Sequence, residues 1–157
     1  MDSDKADQFD RKTKPIALTA LGVVITVSTF ATPYMSWASL TYGVMVVGLI
    51  NRKYRTIHSL LMKIAMGMDL AVVLVLEVSR GAIETAISFK LGFLQQLHIG
   101  CSTLALLLYL PVLYLGRHLL KGTAQPHFRK WHIRLGLMAF IFRTLGFFLM
   151  FSLLIKG

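Results

Sequence analysis

Acid is what this chain of 157 residues has least of: seven Asp and Glu stand against 17 Lys and Arg, a formal net charge of +10. After Asp10 the only acids are Asp69, Glu77 and Glu84. Charge of either sign is also scarce, at 15% where a soluble domain carries about 25%. With 55% apolar residues and a mean hydropathy of +0.65, a water-soluble fold of this length has too little polar material to cover itself. Most of the apolar surface must face lipid, which makes this an all-α integral membrane protein. The lone cysteine, Cys101, lies in an apolar run and excludes an intrachain disulfide framework. No phosphate-binding glycine loop is present, Gly116-Arg117-His118 lacking the spacing, and no Ser such as Ser59, Ser79 or Ser102 has a His–acid partner at a readable spacing. Lipidation motifs are absent as well. A pI near 10.1 would suit nucleic acid, but the bases cluster between apolar runs, where topology signals lie, so no nucleic-acid partner is expected.

Five apolar runs are present, at about 16–32, 34–50, 57–79, 96–117 and 132–155. The first two are short for a span of roughly 20 residues and are separated by Thr32-Pro33-Tyr34, so they read as a hairpin broken at Pro33. The alternative, one kinked segment over 16–50, would be long for a single crossing. Residues 1–15 mix four aspartates with four bases and read as a cytoplasmic tail rather than a cleaved signal peptide, leaving 16–157 as one membrane domain. With the N-terminus inside, the inner segments hold Lys5, Arg11, Lys12, Lys14, Arg52, Lys53, Arg55, Arg117, Lys121, Arg129, Lys130 and Arg134. The outer segments hold only Arg80, Lys90 and Lys156, which predicts a bundle of five transmembrane helices, N-in and C-out, in the cytoplasmic (inner) membrane. Tyr34, Trp37, Tyr42, Tyr54 and Trp131 fall near helix ends as an interfacial belt would. Gly43, Gly48, Gly67, Gly136 and Gly146 are expected to allow close helix contact.

Ionisable residues inside such helices are costly and mark candidate sites. His58 and His132 open the third and fifth runs at the inner face, and Asp69 and Arg143 each follow eleven residues later, about 16 Å deeper. Unlike charges at one depth predict a buried Asp69–Arg143 pair, structural in the simpler reading and part of a proton or substrate path in the other. His58, His118 and His132 come from three helices near the inner face, with His127 in the adjoining loop. Imidazoles layered in this way would suit haem or a metal, and Met62 and Met66, which repeat every four residues after His58 on one helical face, could be soft donors for haem iron or copper. The simpler reading makes the methionines packing or lipid-facing residues and the histidines headgroup contacts. At the outer face His98 opens its helix near the depth of Glu77, and Glu77, Arg80 and Glu84 lie at i, i+3 and i+7 on one face of the third run or its extension. Glu77 with His98, and Glu84, could bind a cation, but the favoured reading is that Glu77 and Arg80 simply pair with each other as i,i+3 neighbours. His98 and His118 lie roughly 30 Å apart along one helix, too far for one haem.

The stretch Tyr54-Arg55-Thr56-Ile57-His58-Ser59-Leu60-Leu61-Met62-Lys63-Ile64-Ala65 resembles the start of a helix in the YozB/CtaM-like family of small bacterial membrane proteins. The resemblance continues through Leu97-His98-Ile99, Tyr109-Leu110-Pro111-Val112 and His127-Phe128-Arg129-Lys130-Trp131, covering about residues 52–155. It implies a helical membrane protein with histidines at both faces, some relatives being linked to maturation of haem-copper respiratory oxidases, and it points to His58, His98 and His127. The chain departs where that family closes the His58-type helix with an Arg-His pair, since Arg80 is followed here by Gly81. A looser similarity, His98-Ile99-Gly100 and His132-Ile133-Arg134-Leu135-Gly136, is to membrane cytochromes carrying haem b. Three functions follow as expectations: a haem- or copper-handling accessory protein of respiratory assembly, a structural subunit bound to other membrane proteins, or a haem-b electron carrier. No residue set specifies a catalytic reaction.

Overall fold

A computed structural model of the chain describes residues 32–81, 84, 88, 91–123, 125 and 127–151. Among them are four α-helices and no strand: α1 Pro33–Ile50, α2 Arg55–Arg80, α3 Phe93–Lys121 and α4 Phe128–Met150. All four are long and apolar enough to cross a membrane. They correspond to the second through fifth apolar runs. The expected tail over 1–15 and nearly all of the expected span over 16–32 lie outside the described residues.

Local chemistry fixes where each helix begins and ends. Thr32 caps α1, its hydroxyl accepting the Met35 N–H at 3.4 Å, and Pro33 takes the first helical position, where its missing donor costs nothing. Asn51 closes α1: its backbone N–H and its side-chain amide both donate to the Val47 carbonyl, at 3.1 and 2.8 Å. Gly81 ends α2 at φ +56° and Gly122 ends α3 at φ +70°, backbone that glycine adopts without a Cβ penalty. The Gln95 side chain returns to accept the Gly92 N–H at 3.1 Å, fixing the start of α3. Because Gly81 stops α2, the expected continuation of one face from Glu77 to Glu84 does not exist; Glu84 lies beyond the helix and is exposed.

The helices carry apolar side chains outward, as lipid requires. Val78 is 90% exposed, Phe93 79%, Leu110 69% and Phe148 63%. Hydroxyls within the spans bond to their own helix: Ser39 to the Met35 carbonyl at 2.8 Å, Thr41 to Trp37 at 2.9 Å and Thr144 to Phe140 at 2.8 Å.

The chain divides into two compact units, 1–65 and 66–157, with the boundary inside α2. In the first, α1 and the start of α2 are joined by a short turn in which Tyr54 N–H donates to Asn51 O at 2.9 Å. Their closest approach is at Gly48, where an added Cβ would stand 3.1 Å from Leu61 Cβ and 3.2 Å from Met62 Sδ. In the second, α3 and α4 form an antiparallel pair, seen in contacts of Ser102 with Gly146 near one end and of Gly116 with His132 near the other. Gly67 and Gly136, also expected at close contacts, have nothing within 4 Å of an added Cβ and face open space.

Candidate functional site

The buried polar centre of the second unit is a triad from three helices. Asp69 on α2, Tyr109 on α3 and Arg143 on α4 are each at least 93% buried, with exposures of 7%, 5% and 7%. Arg143 meets the Asp69 carboxylate through two nitrogens, Nε to Oδ2 and Nη2 to Oδ1, both at 2.7 Å, and Tyr109 donates its hydroxyl to Oδ2 at 2.7 Å. The fork of the guanidinium matches the two carboxylate oxygens, which gives the strongest geometry available to such a pair. One negative and one positive charge cancel, and the phenol adds a neutral donor. The centre can therefore sit where an isolated charge could not.

Tyr109 was not singled out by the sequence reasoning as a site residue, although a signal existed. It follows His98 by eleven residues, the same offset that separates His58 from Asp69 and His132 from Arg143. On a helix running the other way, about 16 Å from the opposite face also reaches the middle of a roughly 30 Å core.

Three histidines share one arrangement. Nδ1 of His58 lies 2.8 Å from the Gly48 carbonyl oxygen, that of His98 2.7 Å from Gly146 O and that of His132 3.2 Å from Val112 O. A carbonyl can only accept, so Nδ1 is the protonated nitrogen in each, and in the neutral ring the lone pair lies on Nε2. Glycine makes each approach possible. Gly48 and Gly146 supply the carbonyl at points of close helix contact, and the His132 ring lies against Gly116, where an added Cβ would be 3.2 Å from Cε1. Each imidazole thus ties one helix to its neighbour in the same unit and has a fixed tautomer. His58 lies in the first turn of α2, His132 just beyond the first turn of α4 and His98 in the second turn of α3.

The other expected ligands are placed differently. His118 approaches Thr123 Oγ1 at 3.1 Å and stacks edge-on with Tyr114 and Phe128, at 4.7 and 5.7 Å between centroids. His118 therefore turns to the α3–α4 loop, while His132 Nδ1 turns to the Val112 carbonyl. His127 is exposed at the start of α4 with its ring 5.1 Å from Phe128. The Met62 sulfur packs on α1 at Gly48. Glu77 is half-buried, and the expected Glu77–Arg80 pairing lies outside the described side chains. Among the described residues no three His, Cys, Asp or Glu side chains come together as a metal site.

Compared with family models, with curated proteins and with solved structures, the chain matches none.

Proposed function

We propose that this chain is a small integral membrane protein whose histidines handle haem or a transition metal during assembly of a respiratory complex of the haem-copper oxidase type. The observation that supports it is the anchoring of His58, His98 and His132 through Nδ1 to a main-chain carbonyl. Metal-ligating histidines almost always donate their other ring N–H in this way, which fixes the ring and raises the basicity of the ligating nitrogen. The donor set favours the kind of group. A closed zinc or copper site needs three or four converging side chains, whereas haem iron takes one or two axial ligands from the protein. Haem would suit these residues better than copper, and Nε2 of His58 or of His98 would hold it. Bound there, it would supply redox chemistry at its iron. The oxidase setting rests on the resemblance to the YozB/CtaM-like family.

The proposed topology has five spans, N-in and C-out in the inner membrane, with the first span over 16–32. A second reading, a structural subunit of a larger membrane complex, is favoured by one observation: the same three carbonyl bonds also tie neighbouring helices together. The test is an absorption spectrum of the detergent-purified protein, oxidised and dithionite-reduced, beside elemental analysis for iron, copper and zinc. A substoichiometric haem or metal signal that drops in His58→Ala or His98→Ala supports the assembly role. A stoichiometric, reducible haem band makes it a cytochrome instead. A folded protein free of haem and metal in both states overturns the haem and metal reading and leaves the structural one.

A further inference from the structure

We propose that the end of the α3–α4 pair where Arg117, Lys121, Arg129, Lys130 and Arg134 gather is a docking surface for the phosphates of anionic phospholipid headgroups. All five side chains are exposed. They come from two helices, held side by side at this end by the His132–Val112 bond and the stacking of His118 on Phe128. Five like charges on one end of a helix pair repel each other and call for counter-charge.

The chain supplies little of it. From residue 85 to 157 there is no acid at all. Asp69 is committed to Arg143 and Tyr109, Glu77 belongs to the last turn of α2, and Glu84 lies in the α2–α3 connection. That leaves Asp2, Asp4, Asp7 and Asp10, but they share residues 1–15 with Lys5, Arg11, Lys12 and Lys14, so this segment has no formal net charge to offer. With so little acid near this end of the helix pair, a counter-charge from outside the chain is favoured. The patch crowns two helices long and apolar enough to cross a membrane, so it falls at headgroup level. Trp131 marks that level: it is 49% exposed, with the Arg134 guanidinium 6.0 Å from its ring centroid. Basic pockets between membrane helices are the usual receptors for lipid phosphate, each Lys or Arg near the surface contributing about 1 kcal/mol, or roughly fivefold in preference.

Trp131 also provides the readout. Trp37→Phe leaves it as the sole tryptophan, and the full chain in this background is reconstituted into vesicles of phosphatidylcholine with increasing phosphatidylglycerol. Quenching of Trp131 is compared when the bromine label is on one lipid or on the other. The expected result is at least a fivefold excess of phosphatidylglycerol over phosphatidylcholine beside Trp131. It should fall toward unity in Arg129→Gln/Lys130→Gln/Arg134→Gln, survive in Arg129→Lys/Arg134→Lys and weaken with added salt. Helix content by circular dichroism verifies that the variants fold. Equal quenching by the two lipids overturns the proposal, as does a preference unchanged in the triple glutamine variant. Should a preference be absent in the parent and emerge only when Asp2, Asp4, Asp7 and Asp10 are all changed to Asn, the occupant is the chain's own tail and the proposal fails.

Discussion

Asp69 has two charged bonds to Arg143 and one to Tyr109, and the three positions should respond very differently to substitution. Asp69→Asn leaves a guanidinium buried without its counter-charge, which should cost about 3–5 kcal/mol. Tyr109→Phe removes one neutral donor and leaves the ion pair, at a cost of about 1 kcal/mol. Asp69→Leu with Arg143→Met removes both charges and should recover most of what Asp69→Asn loses. Thermal unfolding of the three variants in one detergent checks these expectations. A Tyr109→Phe loss as large as that of Asp69→Asn would show the phenol, rather than the carboxylate, to be the keystone. The charged members of this centre were legible in the sequence because an ion in a membrane helix has few tolerable partners, and equal depth selects between them. Tyr109 was harder to see because tyrosine is at home at interfaces, and only its offset from His98 distinguishes a mid-membrane phenol from a belt residue. The histidine bonds were not legible. Their acceptors are backbone carbonyls, which every residue has, and His98 and Gly146 are 48 positions apart.

The helices themselves were read well from apolar run length, and their ends less well. Apolar runs stop where lipid stops, but hydrogen bonding continues through polar residues until a cap intervenes. For that reason α3 reaches from Phe93 to Lys121, beyond the 96–117 expected, and α4 begins at Phe128, four residues before the expected 132. Glycines show the same limit, since composition does not reveal which face of a helix is in contact. Gly146 and Gly136 therefore make a discriminating pair. At Gly146 an added Cβ stands 2.7 Å from Ser102 Oγ and 3.5 Å from the Ser102 nitrogen, so Gly146→Leu should push α3 and α4 apart and cost about 1–3 kcal/mol. Gly136→Ala meets nothing and should be neutral, or stabilising by up to about 1 kcal/mol through helix propensity. Melting temperatures of the two variants in one detergent give the comparison. Gly48→Leu should behave like Gly146→Leu, because Leu61 and Met62 already fill that space.

For the molecule as a whole, charge placement is the feature that carries direction. The α3–α4 loop lies among five bases, while the α2–α3 connection holds Lys90 and Glu84 beside Arg80. If the proposed N-in orientation holds, a cysteine at exposed Ser88 in a Cys101→Ala background should react with an impermeant maleimide in intact cells. A cysteine at exposed Thr123 should react only after the membrane is opened. The reverse pattern would invert the orientation and move the basic end to the outer leaflet.

The Asp69–Arg143 pair also has a history. The two residues are separated by 74 positions, so at a synthesis rate of about 5–20 residues per second the aspartate leaves the ribosome several seconds before its arginine. During that interval α2 must enter the bilayer carrying an unmatched charge, at a penalty of about 2.5–3.5 kcal/mol on the insertion scale, or wait at the translocon. A nascent chain broken off between Gly122 and Phe128 would keep the penalty and never receive its partner. The order of synthesis thus puts the carboxylate into the membrane ahead of the guanidinium that neutralises it, and only a chain translated through Arg143 can form the pair.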